Sequence, residues 1–211
     1  QGPTSDQRIK PDIMAPGVSI DSAASSGSDE SSCRIVSKSG TSMSTPVVAA
    51  TAVIISEYFQ KGFYPSGEAV ATDAFTPTAA TLKAMIIHSG QPLRGEGNPL
   101  YPTYYTGTIP DNKQGFGRID INKILYWRNE SNFNLLVKES EVSLSTPHLR
   151  FSTLVDISFS FFGRTFTHPS ISVKITLVWT DPPASSFSSN VMVNDLDLTV
   201  EHNGTIYYPN K

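Results

Sequence analysis

One turn constrains this chain more than any other feature: Gly40-Thr41-Ser42-Met43-Ser44-Thr45-Pro46, which runs directly into an apolar stretch from Val47 to Phe59. The stretch is far shorter than the roughly 20 apolar residues of a membrane helix. It predicts a buried helix. A serine between a Gly-Thr turn and the start of such a helix contributes little to packing. It is well placed to present a hydroxyl at a helix N-terminus, where unpaired backbone N–H groups and the positive end of the dipole stabilise a developing oxyanion. The simpler use of the same residues is an ordinary Ser or Thr N-cap.

Pro46 sits where an α-helical N–H would bond the Ser42 carbonyl. Proline has no N–H, so that carbonyl is left unpaired and the first turn is loosened. Either this helps the serine reach its geometry, or the proline is simply tolerated in a first turn whose N–H groups are orphans anyway. Met43 places an oxidisable thioether beside the serine.

The seven residues resemble the nucleophile motif of the subtilisin-like serine proteases, the subtilases, usually written Gly-Thr-Ser-Met-Ala-x-Pro. Ser44, where alanine is usual, is the one departure. Upstream, Gly2-Pro3-Thr4 and Arg8 to Gly17 resemble the segment preceding the nucleophile in that family. Downstream, Gln114-Gly115-Phe116-Gly117-Arg118-Ile119-Asp120 resembles the turn and strand that close the catalytic domain. Leu177 to Pro183 and Val193 to Leu198 resemble a C-terminal β-barrel carried by one subgroup, similar to the oxidant-resistant alkaline subtilases.

The resemblance implies an α/β fold. Residues 1–130 form the C-terminal part of a subtilisin-like catalytic domain, and residues 131–211 form an incomplete antiparallel β-barrel or β-sandwich. It also implies a serine endopeptidase with Ser42 as nucleophile, Gly40 and Thr41 beside the scissile bond, protein or peptide substrates, and an extracellular or secretory-pathway location. No cofactor is needed for catalysis.

A serine nucleophile needs a base, and the base needs an orienting group. In subtilases the chain order is Asp, His, Ser. The resemblance therefore places the Asp, the His and the oxyanion-hole amide before residue 1, in an upstream remainder of the catalytic domain. The local histidines are poor substitutes. His88 ends a helical pattern, Leu82 to Ile87, where a cation near a helix C-terminus is favourable. His148, His168 and His202 lie in strand or turn sequence of the second domain.

Composition excludes rather than identifies. With 211 residues, 17% of them charged, and a net charge of −3, the chain is an ordinary globular sequence. Its charge is too mild to predict a nucleic-acid or anionic-membrane partner. Cys33 is the only cysteine. It excludes an internal disulfide. It either pairs with a cysteine of the upstream remainder or is a free residue in an exposed loop, which its serine-rich neighbourhood, Ser25 to Ser32, favours. Two sequons, Asn129-Glu130-Ser131 and Asn203-Gly204-Thr205, are no more than chance supplies and matter only on a secretory route.

Along the chain, residues 1–20 read as loop, short strand and loop, punctuated by Pro11 and Pro16-Gly17, with Ala15-Pro16-Gly17 holding the backbone beside the serine's loop. Arg34 to Lys38 reads as a strand. Thr76 is the expected N-cap of a second helix, with Pro77 at its first position and Gly90 at its stop. Gln91 to Gln114, with Tyr101, Tyr104 and Tyr105, reads as an irregular surface excursion. Ile119 to Trp127 reads as a short closing helix, and the domain boundary falls near Asn129 to Asn134.

Beyond that boundary the period is two. Ile171, Val173, Ile175, Leu177 and Trp179 alternate as in a half-buried strand, as do Leu196, Leu198 and Val200. Asn203-Gly204 reads as a tight hairpin turn into Ile206-Tyr207-Tyr208. Asp195 and Asp197 share a strand face. With Asp181 they form a candidate oxygen-ligand set for structural calcium, a reading strengthened by the resemblance to calcium-stabilised subtilases. The same acids serve equally as turn caps facing water. A different overall reading, a non-catalytic pseudoprotease or a binding module using the β-domain, is weakened by the intact serine motif.

Overall fold

A computed structural model of the protein describes residues 2–24, 34–93, 108–141, 158–161, 164–167, 172–186, 188 and 191–210. The serine-rich loop with Cys33, the three tyrosines of the surface excursion, and His148 and His168 lie outside the described residues. By compactness the chain falls into two units, residues 1–136 with 176–211, and residues 137–175.

The larger unit is built on two helices, α1 (Thr41–Gln60) and α2 (Ala79–His88). In α1 the buried residues are Thr51, Ile55, Tyr58 and Phe59. That spacing puts them on one helical stripe. The opposite face of this apolar helix carries exposed Val53 and Ile54. Phe59 and Ile55 are completely buried, and with Met85 and Ile87 of α2 and Ile124 and Leu125 they make the core.

Aromatic rings close the C-terminal end of α1. Tyr58 meets Trp127 edge-on at 5.5 Å and stacks with Phe63 at 5.8 Å, while Phe59 meets Phe75 at 5.0 Å. Such pairs add to plain area burial. The Tyr58 hydroxyl donates to the Tyr126 carbonyl at 2.8 Å. Burial pushes its phenol up to about 12, although that hydrogen bond works in the opposite direction. The helix stops in a Schellman closure, with the Phe63 N–H on the Tyr58 carbonyl and the Gly62 N–H on the Phe59 carbonyl.

Two short strands, β1 (Ile20–Ala24) and β2 (Arg34–Lys38), pair antiparallel with Ile20 opposite Lys38. The expected strand at residues 34–38 is therefore present, and its partner is one that the unpatterned Ile20–Ala24 sequence does not reveal. The short strand expected before residue 20 is reduced to a bridge. Met14 pairs with Arg118, and Arg118 also pairs with Gln91. This three-way junction ties the segments that carry the resemblance, upstream and downstream of the serine, to the residues that follow α2.

The N-cap of α2 is not Thr76. It is Thr78, whose hydroxyl accepts the Thr81 N–H at 3.2 Å. Thr76 precedes a proline, which favours extended backbone and moves the helix start beyond Pro77. The closing helix expected over Ile119 to Trp127 is a single 3₁₀ turn, Ile121–Lys123. The Ile119 N–H bonds the Met14 carbonyl, which keeps residue 119 in the bridge, so the turn starts only after Asp120, whose side chain caps it on the Asn122 N–H.

In the smaller unit, β3 (Ser158–Phe161) and β4 (Arg164–Thr167) form an antiparallel hairpin. In the larger unit, β5 (Val200–His202) and β6 (Thr205–Tyr207) form another, turning at Asn203-Gly204 as expected. Both turn residues have positive φ, 49° and 75°, the backbone of a type I′ turn, which Asn-Gly adopts with least strain. The alternating stretch at residues 172–180 is not in a ladder. Val173, Ile175 and Leu177 are exposed, because among the described residues no partner strand covers them. Leu196, Leu198 and Val200 do alternate in exposure with Asp195, Asp197 and Thr199, but pairing begins only at Val200. Among the described residues no helix is long and apolar enough to cross a membrane.

The shifted cap makes a direct prediction. Thr78→Ala should lower unfolding free energy by about 1 kcal/mol, and Thr76→Ala, at an exposed non-capping position, by less than about 0.5 kcal/mol. Urea denaturation of the two variants distinguishes them, and equal losses would refute the assignment of Thr78 as the cap.

Candidate active site

Ser42 is the second residue of α1 and is exposed. The helix begins at Gly40, whose φ of 149° lies where only glycine is at ease. The Gly40 carbonyl accepts the Met43 N–H at 3.0 Å, closing the first turn. No side chain caps the helix start, so its leading N–H groups are left open beside the Ser42 hydroxyl. The plain capping role weighed for these residues is therefore not what they do. Thr45 turns its hydroxyl back onto the Thr41 carbonyl at 2.9 Å, away from the N-terminus.

The turn is held from below by the Ala15-Pro16-Gly17 loop, as expected for that segment. The Gly40 N–H donates to the Gly17 carbonyl at 2.7 Å, and the Ser19 N–H donates to the Ser39 hydroxyl at 2.8 Å. These two rungs continue the β1–β2 ladder to the foot of the helix. Gly17 is also packed close: a Cβ there would collide with the Ser44 hydroxyl and the Gly40 carbonyl. Ser44, the departure from the usual motif, thus lies against the supporting loop. The Ser19–Ser39 rung has no sequence signature, since neither serine differs from the many others nearby.

Among the described residues Ser42 has no base. His88 is the last residue of α2, and its Nδ1 lies 2.9 Å from the Thr176 hydroxyl. His202 is exposed in the β5–β6 hairpin, its Nε2 3.2 Å from the Asn203 amide. A groove of about 440 Å³ between the helices, lined by Ile13, Val48, Leu82 and Ile86 with Asp12 and Lys83 at its edge, does not include Ser42.

The acidic candidates are not gathered. Asp181 accepts the Val193 N–H at 2.7 Å, the Asn194 N–H at 3.0 Å and the Asn194 side-chain amide at 2.8 Å. Asp195 and Asp197 are exposed and face solvent. Among the described residues no group of three His, Cys, Asp or Glu side chains assembles that would hold a metal ion. Three N–H donors aim their positive ends at the Asp181 carboxylate, where a cation would sit, so this donor set does not fit calcium as arranged. It makes a polar clasp between residues 181 and 193–194, which sequence reading missed because the spacing matches no local turn.

With the geometry in view, the comparison with known proteins agrees. The sequence matches the subtilase family, peptidase S8, over residues 1–117. The chain belongs to that family of serine proteases. It is similar to the serine protease/ABC transporter B family proteins of Dictyostelium discoideum: tagD, 32% identical over 247 residues, and tagB, 32% over 237 residues. The alignments cover all of this chain for tagD and 94% of it for tagB and tagA, the last being 28% identical. The chain spans only 13%, 12% and 11% of the lengths of tagD, tagB and tagA.

The clasp gives a pH dependence. Desolvation raises the Asp181 carboxyl, but the Val193 and Asn194 donors outweigh it and hold the group below its ordinary value. A carboxyl depressed in the folded state contributes stability that is fully present above its unfolded value, near about 4, and is lost as pH falls through the lower folded value. The amide resonances of Val193 and Asn194 should therefore move together in acid, below about pH 4. Resonances that stay fixed through that range in NMR would contradict the clasp.

Proposed function

We propose that the protein containing this chain is a serine endopeptidase in which Ser42 attacks the scissile carbonyl and is released from the acyl-enzyme by water. The observation that carries this reading is the exposed Ser42 on the uncapped N-terminus of α1. There its own N–H and the helix dipole face the developing oxyanion. Gly40 and Thr41, exposed on the same turn, line the cleaved bond. Open backbone there suits an extended peptide.

The Asp, the His and the second oxyanion donor come in this reading from sequence outside the chain. The far greater length of the relatives is consistent with that. The proposed division is a catalytic portion over residues 1–130 and a β-rich portion, an incomplete barrel or sandwich, over 131–211. In its support, among the described residues both α-helices precede residue 130 and the β3–β4 and β5–β6 pairs follow it, while by compactness residues 176–211 group with residues 1–136. Substrates are proteins or peptides, and catalysis needs no cofactor. A location outside the cell or in the secretory pathway follows from the family and is part of the same proposal.

A fluorophosphonate probe tests the nucleophile. Full-length protein should be labelled, Ser42→Ala should not, and the 211-residue chain alone should stay unlabelled because it lacks the base. Peptidase kcat of Ser42→Ala should fall by roughly 10⁶-fold, the scale on which loss of a triad serine acts. Folded, matured full-length protein that takes no label would instead favour the pseudoprotease reading.

Met43 supplies a second test. It follows Ser42 directly and is only partly buried, so its thioether is within reach of small oxidants. Dilute peroxide is expected to slow the enzyme in step with sulfoxide formation at Met43. An unchanged rate with Met43 shown oxidised by mass spectrometry would refute the expectation.

A further inference from the structure

The two sequons, indistinguishable as sequence, differ in the fold. An N-glycosylation acceptor must offer its amide nitrogen and the hydroxyl two residues on to a large transferase that binds the segment in a flexible, extended form. A motif left open at a hairpin tip is therefore favoured over one whose hydroxyl is drawn into the fold as it forms. At Asn129-Glu130-Ser131 the hydroxyl is taken. Ser131 Oγ accepts the Trp127 N–H at 2.8 Å and faces the Leu125 carbonyl at 3.4 Å, half-buried under the aromatic end of the core. Freeing it would open the Leu125–Ser131 loop. At Asn203-Gly204-Thr205 the three residues are the exposed tip of the β5–β6 hairpin. Among the described residues no hydrogen bond holds the Thr205 hydroxyl. The Asn203 amide has only an exposed contact with its neighbour His202. Gly204 at φ 75° has nothing within 4 Å of where a Cβ would stand, so the tip is open on that side as well.

We infer that Asn203 is an N-glycosylation site and that Asn129 is not. The inference rests on the secretory-pathway part of the proposed function. The co-substrate is a lipid-pyrophosphate-linked oligosaccharide. A bond forms between the Asn203 Nδ2 and C1 of the sugar as the C1–oxygen bond to the pyrophosphate breaks. The lipid pyrophosphate leaves with the electron pair, and the amide proton passes to the transferase. No oxidation or reduction is involved. The product places a bulky, strongly hydrated group beside Ile206, Tyr207 and Tyr208, all more than half exposed on this hairpin. That screens an apolar edge otherwise open to pairing with another chain.

The test uses full-length protein made in its own cells, digested with peptide N-glycosidase in heavy-oxygen water and read by peptide mass spectrometry. Conversion of the asparagine at position 203 to labelled aspartate is expected, with the Asn129 peptide unlabelled. Thr205→Ala should abolish the label and Thr205→Ser retain it, a pattern that mere loss of the hairpin would not produce. An unlabelled Asn203 peptide, or label at Asn129 in its place, overturns the inference. Protease protection of the chain in sealed vesicles separates the two ways this can fail. A protected chain with unmodified Asn203 defeats the inference alone. A chain digested from the cytosolic side defeats it together with the secretory reading, and leaves the Ser42 labelling test untouched.

Discussion

The stripe of Thr51, Ile55, Tyr58 and Phe59 on α1 is what the rest of the larger unit depends on. It seats the C-terminal half of the helix in a core of Met85, Ile87, Ile124 and Leu125 and in a cage of aromatic rings. Packing of this kind is strong because Ile55, Phe59 and Ile124 are fully removed from water and the rings around them meet in favourable geometry. Anchored there, the helix holds its N-terminal turn, with Ser42, out toward solvent. The direction of the Ser42 hydroxyl is thus set in large part by packing several turns away from it.

The N-terminal end is steadied differently. It has no side-chain cap, which normally weakens a helix start. The support is backbone: the Gly17 carbonyl on the Gly40 N–H, with the Ser19–Ser39 rung and the β1–β2 ladder below it. Leaving the cap vacant costs the helix some stability and leaves its first N–H groups open beside the Ser42 hydroxyl. A local rule of helix design is broken at the turn that carries the family motif. Bridges from Met14 to Arg118 and from Gln91 to Arg118 join the upstream and downstream segments that carry the resemblance to the residues that follow α2.

Much of the site was legible in the sequence, because its signals are local. A Gly-Thr-Ser turn before an apolar run specifies a hydroxyl at a helix N-terminus, and Asn203-Gly204 specifies a tight turn, whatever surrounds them. The misplaced features are those decided by competition. Thr76 and Thr78 are chemically alike, and the constraint Pro77 imposes on the residue before it chose between them. Ile119 to Trp127 has helical content, but pairing of residues 118–119 with Met14 holds the start extended and only one 3₁₀ turn follows. The alternation at residues 171–179 marks strand character. Strand pairing is supplied by other segments, and period alone does not provide them.

The sequence by itself determined the family, the local setting of Ser42, the stretch that forms α1 and the turn of the last hairpin, since each follows from residues a few positions apart. Only the tertiary structure decided that Asp181 is clasped by Val193 and Asn194 rather than grouped with Asp195 and Asp197. It alone showed that His88 answers to Thr176 and that Ser131, unlike Thr205, has spent its hydroxyl. Side chains of the same kind differ in role when their hydrogen-bonding partners differ, and those partners are brought together by folding.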